Sequence, residues 1–285
     1  MAAFALRSPD ALASPFALLA AIDAEGRRRQ PLLWGAAIFL LLMMAPTYAA
    51  LLLDGRMVND VNVWVKPLKF EFSLALYLGT LAWFWGTLAP EAGAARGLRV
   101  FALVSVALIA FEIAYIVLQS ARGVGSHFNT ATPIEGIMFT LMGASALVFT
   151  ALPAALGVAI ARRPRPHIAP AFRDSVVLGL ILTTVLGTIA GVVISVNGGH
   201  WVGAAPTDAG GLPIFGWTRE GGDLRVAHFF GLHALQMLPV AGWLIARWWP
   251  EGKRLVWLAA TGLTALVAYT LVEALAGRPF LAFIG

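Results

Sequence analysis

The chain has 285 residues, of which 59% are hydrophobic and only 12% are charged, and its mean hydropathy is +0.80. These values exclude a soluble globular domain of this length and indicate an integral membrane protein. The pI near 10.1 is explained by the placement of Lys and Arg on one side of a membrane, so it implies no nucleic-acid partner. Cysteine is absent, which excludes disulfides, thiolate metal ligands and thiol nucleophiles.

The N-terminal segment, residues 1–31, lacks the basic, apolar and small-residue regions of a signal peptide. Ser8 followed by Pro9 is typical of a helix start. Apolar residues then recur at helical spacing ahead of three consecutive arginines, at Leu12, Phe16, Leu19 and Ile22. We expect a cytoplasmic segment whose amphipathic helix lies along the membrane surface.

Residues 32–285 predict one domain of seven transmembrane helices, each near or above the roughly 20 residues that cross a bilayer. The predicted spans are 32–53, 62–88, 99–121, 133–160, 175–196, 227–248 and 255–275. Cytoplasmic loops retain positive charge during insertion. An N-terminus on the cytoplasmic side leaves most of the 20 basic residues there, namely Arg7, Arg27, Arg28, Arg29, Arg96, Arg99, Arg162, Arg163, Arg165, Arg173, Arg247, Lys253 and Arg254. We therefore predict an all-α bundle with its N-terminus inside and its C-terminus outside.

The outer loop at 197–226 is the longest connection, and it combines eight glycines with several apolar and aromatic residues. Such a loop is either a mobile linker or a folded functional element. Its aromatic content favours a folded loop that packs over the outer mouth of the bundle.

Polar side chains within the spans are costly in hydrocarbon unless they face protein or water. In the third span, polar residues follow one helical stripe at Glu112, Tyr115, Gln119 and Arg122. The second span carries a similar stripe of Asn62, Lys66, Lys69, Ser73 and Tyr77. The two stripes predict a shared polar site in the outer half of the bundle, although Lys66, Lys69 and Arg122 could instead extend towards the lipid headgroups.

The sixth span contributes further polar residues near the same level, namely Arg225, His228, His233 and Gln236. In one straight helix, His228 and His233 would lie at the two edges of the polar face, so each would need its own partner. His127, His200, Glu135 and Glu273 are predicted at the same outer level. Four of the five histidines thus converge there, although pairing that merely holds the helices together would explain individual members of the set.

Three segments, NVWVKPLKFEFS, EIAYIVLQSARGVGSHFN and GDLRVAHFFGLHALQMLP, resemble a group of uncharacterised bacterial multi-spanning membrane proteins. The resemblance covers most of the chain from Asn59 to Pro239. It implies a location in the bacterial inner membrane and no particular activity. The last span has no lysine for a retinal Schiff base, and it lacks the paired histidines of zinc-dependent seven-helix lipid hydrolases.

Three functional classes fit this outer site. The first is redox chemistry, with haem b or a His-bound transition metal and with quinol approaching from the bilayer. The second is ion- or proton-coupled transport through Glu112, His233 and Lys69. The third is a metal-dependent enzyme acting on an anionic lipid-linked substrate. The concentration of histidine favours the redox class.

The redox hypothesis assigns each candidate residue a role. The predicted cofactor-binding residues are His228, His233, His127, His200, Arg122 and Arg225, with the arginines pairing the haem propionates. The predicted metal ligands are His233, His228 and Glu112. The remaining polar residues of the site are Lys66, Lys69, Tyr115, Gln119, Glu135, Gln236 and Glu273.

Overall fold

A computed structural model describes residues 14–280 of the chain. Ten helices account for most of these residues, namely α1 (Pro15–Arg29), α2 (Pro31–Leu53), α3 (Val65–Trp85), α4 (Pro90–Gly93), α5 (Arg96–Arg122), α6 (Pro133–Arg162), α7 (Pro170–Val196), α8 (Arg225–Leu232), α9 (Ala234–Trp248) and α10 (Lys253–Leu275). Two short antiparallel hairpins complete the described structure, formed by β1 (Met57–Val58) with β2 (Val61–Asn62) and by β3 (Trp201–Val202) with β4 (Gly222–Asp223).

Several of these helices are long and apolar enough to span a membrane, which confirms that part of the sequence prediction. Five qualify alone, α2, α5, α6, α7 and α10, and the bent pair of α8 and α9 qualifies as a sixth. Much of their surface carries exposed large side chains such as Phe39, Leu42 and Leu53. A soluble monomer does not normally expose so much contiguous apolar surface, whereas lipid would cover it.

α3 is not among the helices that pass this test, because Lys66, Lys69 and Glu71 occupy its first two turns. It is nevertheless deeply packed between α2 and α5, with Leu78 and Leu81 fully buried in the main apolar core. Asn62, which the sequence placed on the polar stripe of this helix, lies instead in β2.

The bundle has two ends, which differ in character. The turn between β1 and β2 contacts the long connection between α7 and α8, through a hydrogen bond from the Asp208 N–H to the Asn59 carbonyl. We call this the loop end. At the opposite end, the Arg165 N–H donates to the carbonyl of Thr87. We call it the arginine end, and α3 runs from one end to the other.

α1 packs at the arginine end. It begins after Ser14, whose hydroxyl accepts from the Ala17 N–H and caps the helix, so the predicted start at Ser8 falls outside the described residues. The indole of Trp34 donates to Asp23 and lies directly against Gly26. Arg29 donates to Glu25 and to the carbonyl of Trp83, which anchors α1 to α3.

The sixth predicted span, 227–248, was expected to be one straight helix, and this expectation was wrong. The helix is bent by 48° between α8 and α9, at His233. Around the bend the Gln236 N–H donates to the His233 carbonyl, three residues back, instead of to the Leu232 carbonyl four residues back. The hydroxyl of Thr183 on α7 donates to that freed Leu232 carbonyl at 3.3 Å. A neighbouring helix thus satisfies a backbone group that hydrocarbon would leave unpaired.

Glycines bring α7 close to this bend. A side chain at Gly179 would meet the Ala234 carbonyl and the ring of Pro239, and one at Gly231 would meet the backbone of α7. Pro239 itself cannot donate a hydrogen bond within α9. Small residues of this kind let two membrane helices approach at backbone distance.

Candidate functional site

The long connection between α7 and α8 is folded and covers the loop end. Its two ends pair as β3 and β4, with Trp201 opposite Asp223. The Thr207 hydroxyl donates to Asp60 in the turn between β1 and β2. Trp217 is buried and packs against Phe229 of α8. These contacts fix the loop to α8 and to the first hairpin.

Arg225, the first residue of α8, organises the centre of this cover. Its guanidinium donates to Asp223 at 2.6 Å, to Asp208 at 2.8 Å and to the Gly216 carbonyl at 2.7 Å. The Asp223 side chain is fully buried and also accepts from the N–H groups of Thr218 and Arg225. One cation therefore joins three parts of the loop to the start of α8.

Asp208 has a second partner, the imidazole of His200, whose Nε2 lies 3.2 Å from its carboxylate. Burial of the carboxylate raises the pKa of Asp208, but His200 and Arg225 stabilise its charged form and the net effect lowers that pKa. His200 also stacks on Trp201, with 3.6 Å between ring centroids. His200 is thus engaged in holding the loop.

Two lysines on α3 lie beneath this cover. The ammonium of Lys69 donates to the Phe215 carbonyl of the loop at 2.9 Å. One turn nearer the start of α3, Lys66 donates to Nδ1 of His127 at 3.0 Å. Neither ammonium forms an ion pair with a carboxylate in the described part of the chain. The two ammonium groups are instead held by a backbone carbonyl and an imidazole.

Glu112 of α5 faces the same region. It is almost completely buried and interacts electrostatically with Lys66 without a direct ion pair. Its Oε1 atom has no hydrogen-bond partner among the described residues. Because an ammonium can only donate, Nδ1 of His127 must accept from Lys66. Lys66, His127 and Glu112 therefore form a compact group that contains an acid, a base and a cation.

The other members of the α5 stripe turn towards α6. Arg122 donates to Gln119 at 2.6 Å and pairs with Glu135 at 3.2 Å, while Gln119 donates to the Tyr115 hydroxyl. Glu135 also takes part in the N-terminal cap of α6, where its N–H donates to the Thr132 hydroxyl. This set of residues joins two helices and is separate from the cover of the loop end.

The two histidines of the bent span have different partners. Nδ1 of His228 lies 3.1 Å from the Gly187 carbonyl of α7. At the bend, Nδ1 of His233 lies 3.1 Å from Oε1 of Gln236, whose amide nitrogen donates to the Thr80 hydroxyl of α3 at 3.2 Å. Because carbonyl and amide oxygens only accept, both Nδ1 atoms donate. The bend is therefore linked by side chains to α3 as well as to α7.

The structure brings part of the predicted site together. Lys66 meets His127 and interacts with Glu112, and Lys69 and Arg225 both bind the loop. Glu273 instead pairs with Arg278 at the end of α10. No group of three or more His, Asp or Glu residues within 14–280 is arranged to hold a metal ion. The predicted group of His228, His233 and Glu112 is thus not assembled as a metal site.

Four residues with defined roles were not among the predicted site residues: Asp208, Asp223, Thr80 and Thr183. The position of Asp223 two residues before Arg225 is a local signal, since its Oδ1 accepts from the Arg225 N–H. Asp208, Thr80 and Thr183 act on partners that are distant in sequence. No local pattern identifies such pairs.

Comparison of the chain with protein-family models, with curated proteins and with solved structures found no match.

Proposed function

We propose that this chain crosses a bacterial inner membrane seven times, with the arginine end in the cytoplasm. Six crossings are the helices and the bent pair that are long and apolar enough. α3 supplies the seventh in this proposal. Its charged residues at Lys66 and Lys69 have polar partners, and the helix runs between the same two ends as its neighbours.

The orientation follows from the distribution of basic residues. Arg27, Arg28 and Arg29 lie at the arginine end with Arg165, and positive loops are retained in the cytoplasm. The exposed side chains of Phe16 and Leu19 on α1 fit a helix that lies in the cytoplasmic membrane surface. The C-terminus and the loop end then face the outside. The resemblance to bacterial multi-spanning proteins agrees with this location.

Within this frame, the proposed function is proton-coupled transport of a small anionic solute that enters from the loop end. The observation that carries it is the break at His233 in the sixth crossing. A break in a transmembrane helix frees backbone groups, which is tolerated where the break is buried in protein or borders a binding cavity. The side chain at this break is hydrogen-bonded through Gln236 to α3, the helix that carries both lysines.

The chemistry of the loop end fits an anion and a proton. Lys66 and Lys69 offer positive charge that no carboxylate within residues 14–280 pairs with directly. Glu112 is a buried carboxyl with an unpartnered oxygen, so it can bind or release a proton beside Lys66. Movement of the folded loop from Lys69 would open this region.

Transport is preferred over a metal centre because the described residues hold no assembled ligand cluster. Nδ1 of His228 binds Gly187, Nδ1 of His233 binds Gln236, and His127 binds Lys66. A metal-dependent lipid enzyme would require a cluster of ligands, and residues 14–280 provide none.

Reconstituted liposomes that enclose a pH-sensitive dye test the proposed function. Inorganic phosphate, sulfate and succinate would be added outside in turn, under an imposed pH gradient. We expect at least one of these anions to accelerate proton movement into the liposomes. Substituting His233→Ala should abolish that acceleration, because the imidazole that orients Gln236 towards Thr80 of α3 would be lost.

His167→Ala is the matched control, because His167 lies in the exposed connection between α6 and α7 at the arginine end. It should transport like the parent. Proton movement that does not respond to any of the three anions, in parent and variants alike, would overturn the proposal. A haem absorption band in the purified protein would restore the redox hypothesis in its place.

A further inference from the structure

Glu71 of α3 is a fully buried carboxyl that the loop-end site does not use. Its relative exposure is 0%, and Thr47 of α2, its only hydrogen-bond partner in the described structure, is 4% exposed. The Thr47 Oγ1 atom lies 2.7 Å from Oε1 of Glu71. The second carboxyl oxygen, Oε2, is buried and has no hydrogen-bond partner among residues 14–280. Glu71 is therefore held by one neutral hydroxyl.

The hydrogen atoms around Thr47 can be counted. Its Oγ1 also lies 3.0 Å from the Met43 carbonyl, one turn back in α2. A hydroxyl has a single hydrogen to donate, and a carbonyl oxygen and an ionised carboxylate can only accept. With Glu71 ionised, one of these two short contacts has no hydrogen. With Glu71 protonated, Glu71 donates to Thr47 and Thr47 donates to Met43, so both contacts are hydrogen bonds.

Charged neighbours do not compensate Glu71. On its own helix, Lys66 binds His127 and Lys69 binds Phe215. α2 contains no Asp, Glu, Lys, Arg or His, and its only titratable group is the exposed Tyr48.

Other charges lie on the helices packed against α3, and Arg96 and Arg99 are at the start of α5, at the opposite end of that helix from Arg122. On α5, Arg122 pairs with Glu135, and Glu112 interacts with Lys66. Arg29 of α1 binds Glu25 at the arginine end. An ionised carboxylate with one neutral hydrogen bond and no cation would carry a large desolvation cost.

From this arrangement we propose that Glu71 and Thr47 form a second site, a proton-binding site between α2 and α3, and that Glu71 is protonated at neutral pH in this conformation. The ligand of the site is a proton. Its release requires water or a cation to reach the carboxyl, which a separation of α2 from α3 would allow. A role for Glu71 as the carrier of the coupled proton rests on the proposed transport function. Its protonation at neutral pH does not rest on that function.

Infrared spectroscopy of the full-length protein in lipid at neutral pH tests the proposal directly. We expect a carbonyl stretching band of a protonated carboxylic acid. Glu71→Gln should reduce the intensity of this band by the contribution of one carboxyl group. Since glutamine is a neutral isostere that can donate to Thr47, this variant should melt like the parent. Glu91→Gln, at an exposed glutamate of α4, is the control and should leave the acid band unchanged.

Thr47→Val provides a second, independent variant. Removing the hydroxyl leaves the acid without its partner, so its carbonyl band should remain and shift to higher frequency. If Glu71→Gln instead removes carboxylate bands, or if the acid band of the parent is insensitive to both Glu71→Gln and Thr47→Val, Glu71 is ionised and the proposal is overturned. If the acid band responds as expected but the protein transports no protons, the proton-binding site is supported and only the transport function is rejected.

Discussion

Arg225 shows how much of the loop end depends on one side chain. Its guanidinium contacts Asp223, Asp208 and the Gly216 carbonyl, and the Asp223 side chain is completely buried. Arg225→Ala would leave the charge of Asp223 buried without its cation. We expect a loss of about 3–5 kcal/mol in stability, the usual cost of breaking a buried pair from one side. Thermal unfolding of the purified protein in detergent measures this loss.

Arg219→Ala is the control for that prediction, because Arg219 belongs to the same loop and is exposed. It removes the same charge and should leave the unfolding midpoint within the error of the parent. Equal midpoints for Arg225→Ala and the parent would show that the arginine does not hold the loop in place.

At the residue scale, the sequence identified which polar groups lie in the bundle better than it identified their partners. The spacing of Lys66 and Lys69 placed both on one face of a helix, and both do contact groups at the loop end. Histidine-rich composition, by contrast, suggested shared ligation. The partners of two of these rings lie on distant elements, Gly187 of α7 for His228 and Lys66 of α3 for His127. Such tertiary partners leave no local signal.

Gly179 tests the packing of α7 on the bent span. A methyl group there would lie 2.8 Å from the Ala234 carbonyl and 3.0 Å from the ring of Pro239. Both neighbours belong to α9 near the bend and have little freedom to move. We expect Gly179→Ala to destabilise the protein by about 1–3 kcal/mol, as overpacking of a close contact does. The unfolding midpoint in detergent reports the change.

The matched control is Gly262→Ala on α10, where an added methyl group would meet no atom within 4 Å. Alanine is the better helix former by about 1 kcal/mol, so this variant should equal or exceed the stability of the parent. The same stabilisation at both glycines would mean that α7 does not pack closely on the bend.

At the scale of elements, long apolar runs located the helices well, because about 20 apolar residues are sufficient to define a crossing. The bend at His233 was missed for a physical reason. It depends on two residues of α7 that are distant in sequence: Thr183 donates to the freed Leu232 carbonyl, and Gly179 leaves room for the backbone at Ala234. Gly231 and Pro239 flank the bend in sequence, but glycine and proline are also common in unbroken membrane helices.

At the scale of the whole molecule, the two ends differ in chemistry. The arginine end gathers basic residues and the helix α1, which contacts Trp34 and Trp83. The loop end gathers the folded loop, the two lysines and Glu112. The proposed transport function requires that the loop end face outwards, since the solute enters there. Every step of the proposed transport function therefore depends on this orientation.

Absence of cysteine makes that orientation directly measurable. Single cysteines would be introduced by Glu220→Cys in the exposed part of the loop and by Arg162→Cys at the end of α6, and both residues are exposed. Intact spheroplasts would be treated with a membrane-impermeant maleimide. The account predicts that the cysteine at 220 is labelled at once and that the cysteine at 162 is labelled only after the membrane is permeabilised. Labelling in the opposite order would place the loop end in the cytoplasm and contradict the account.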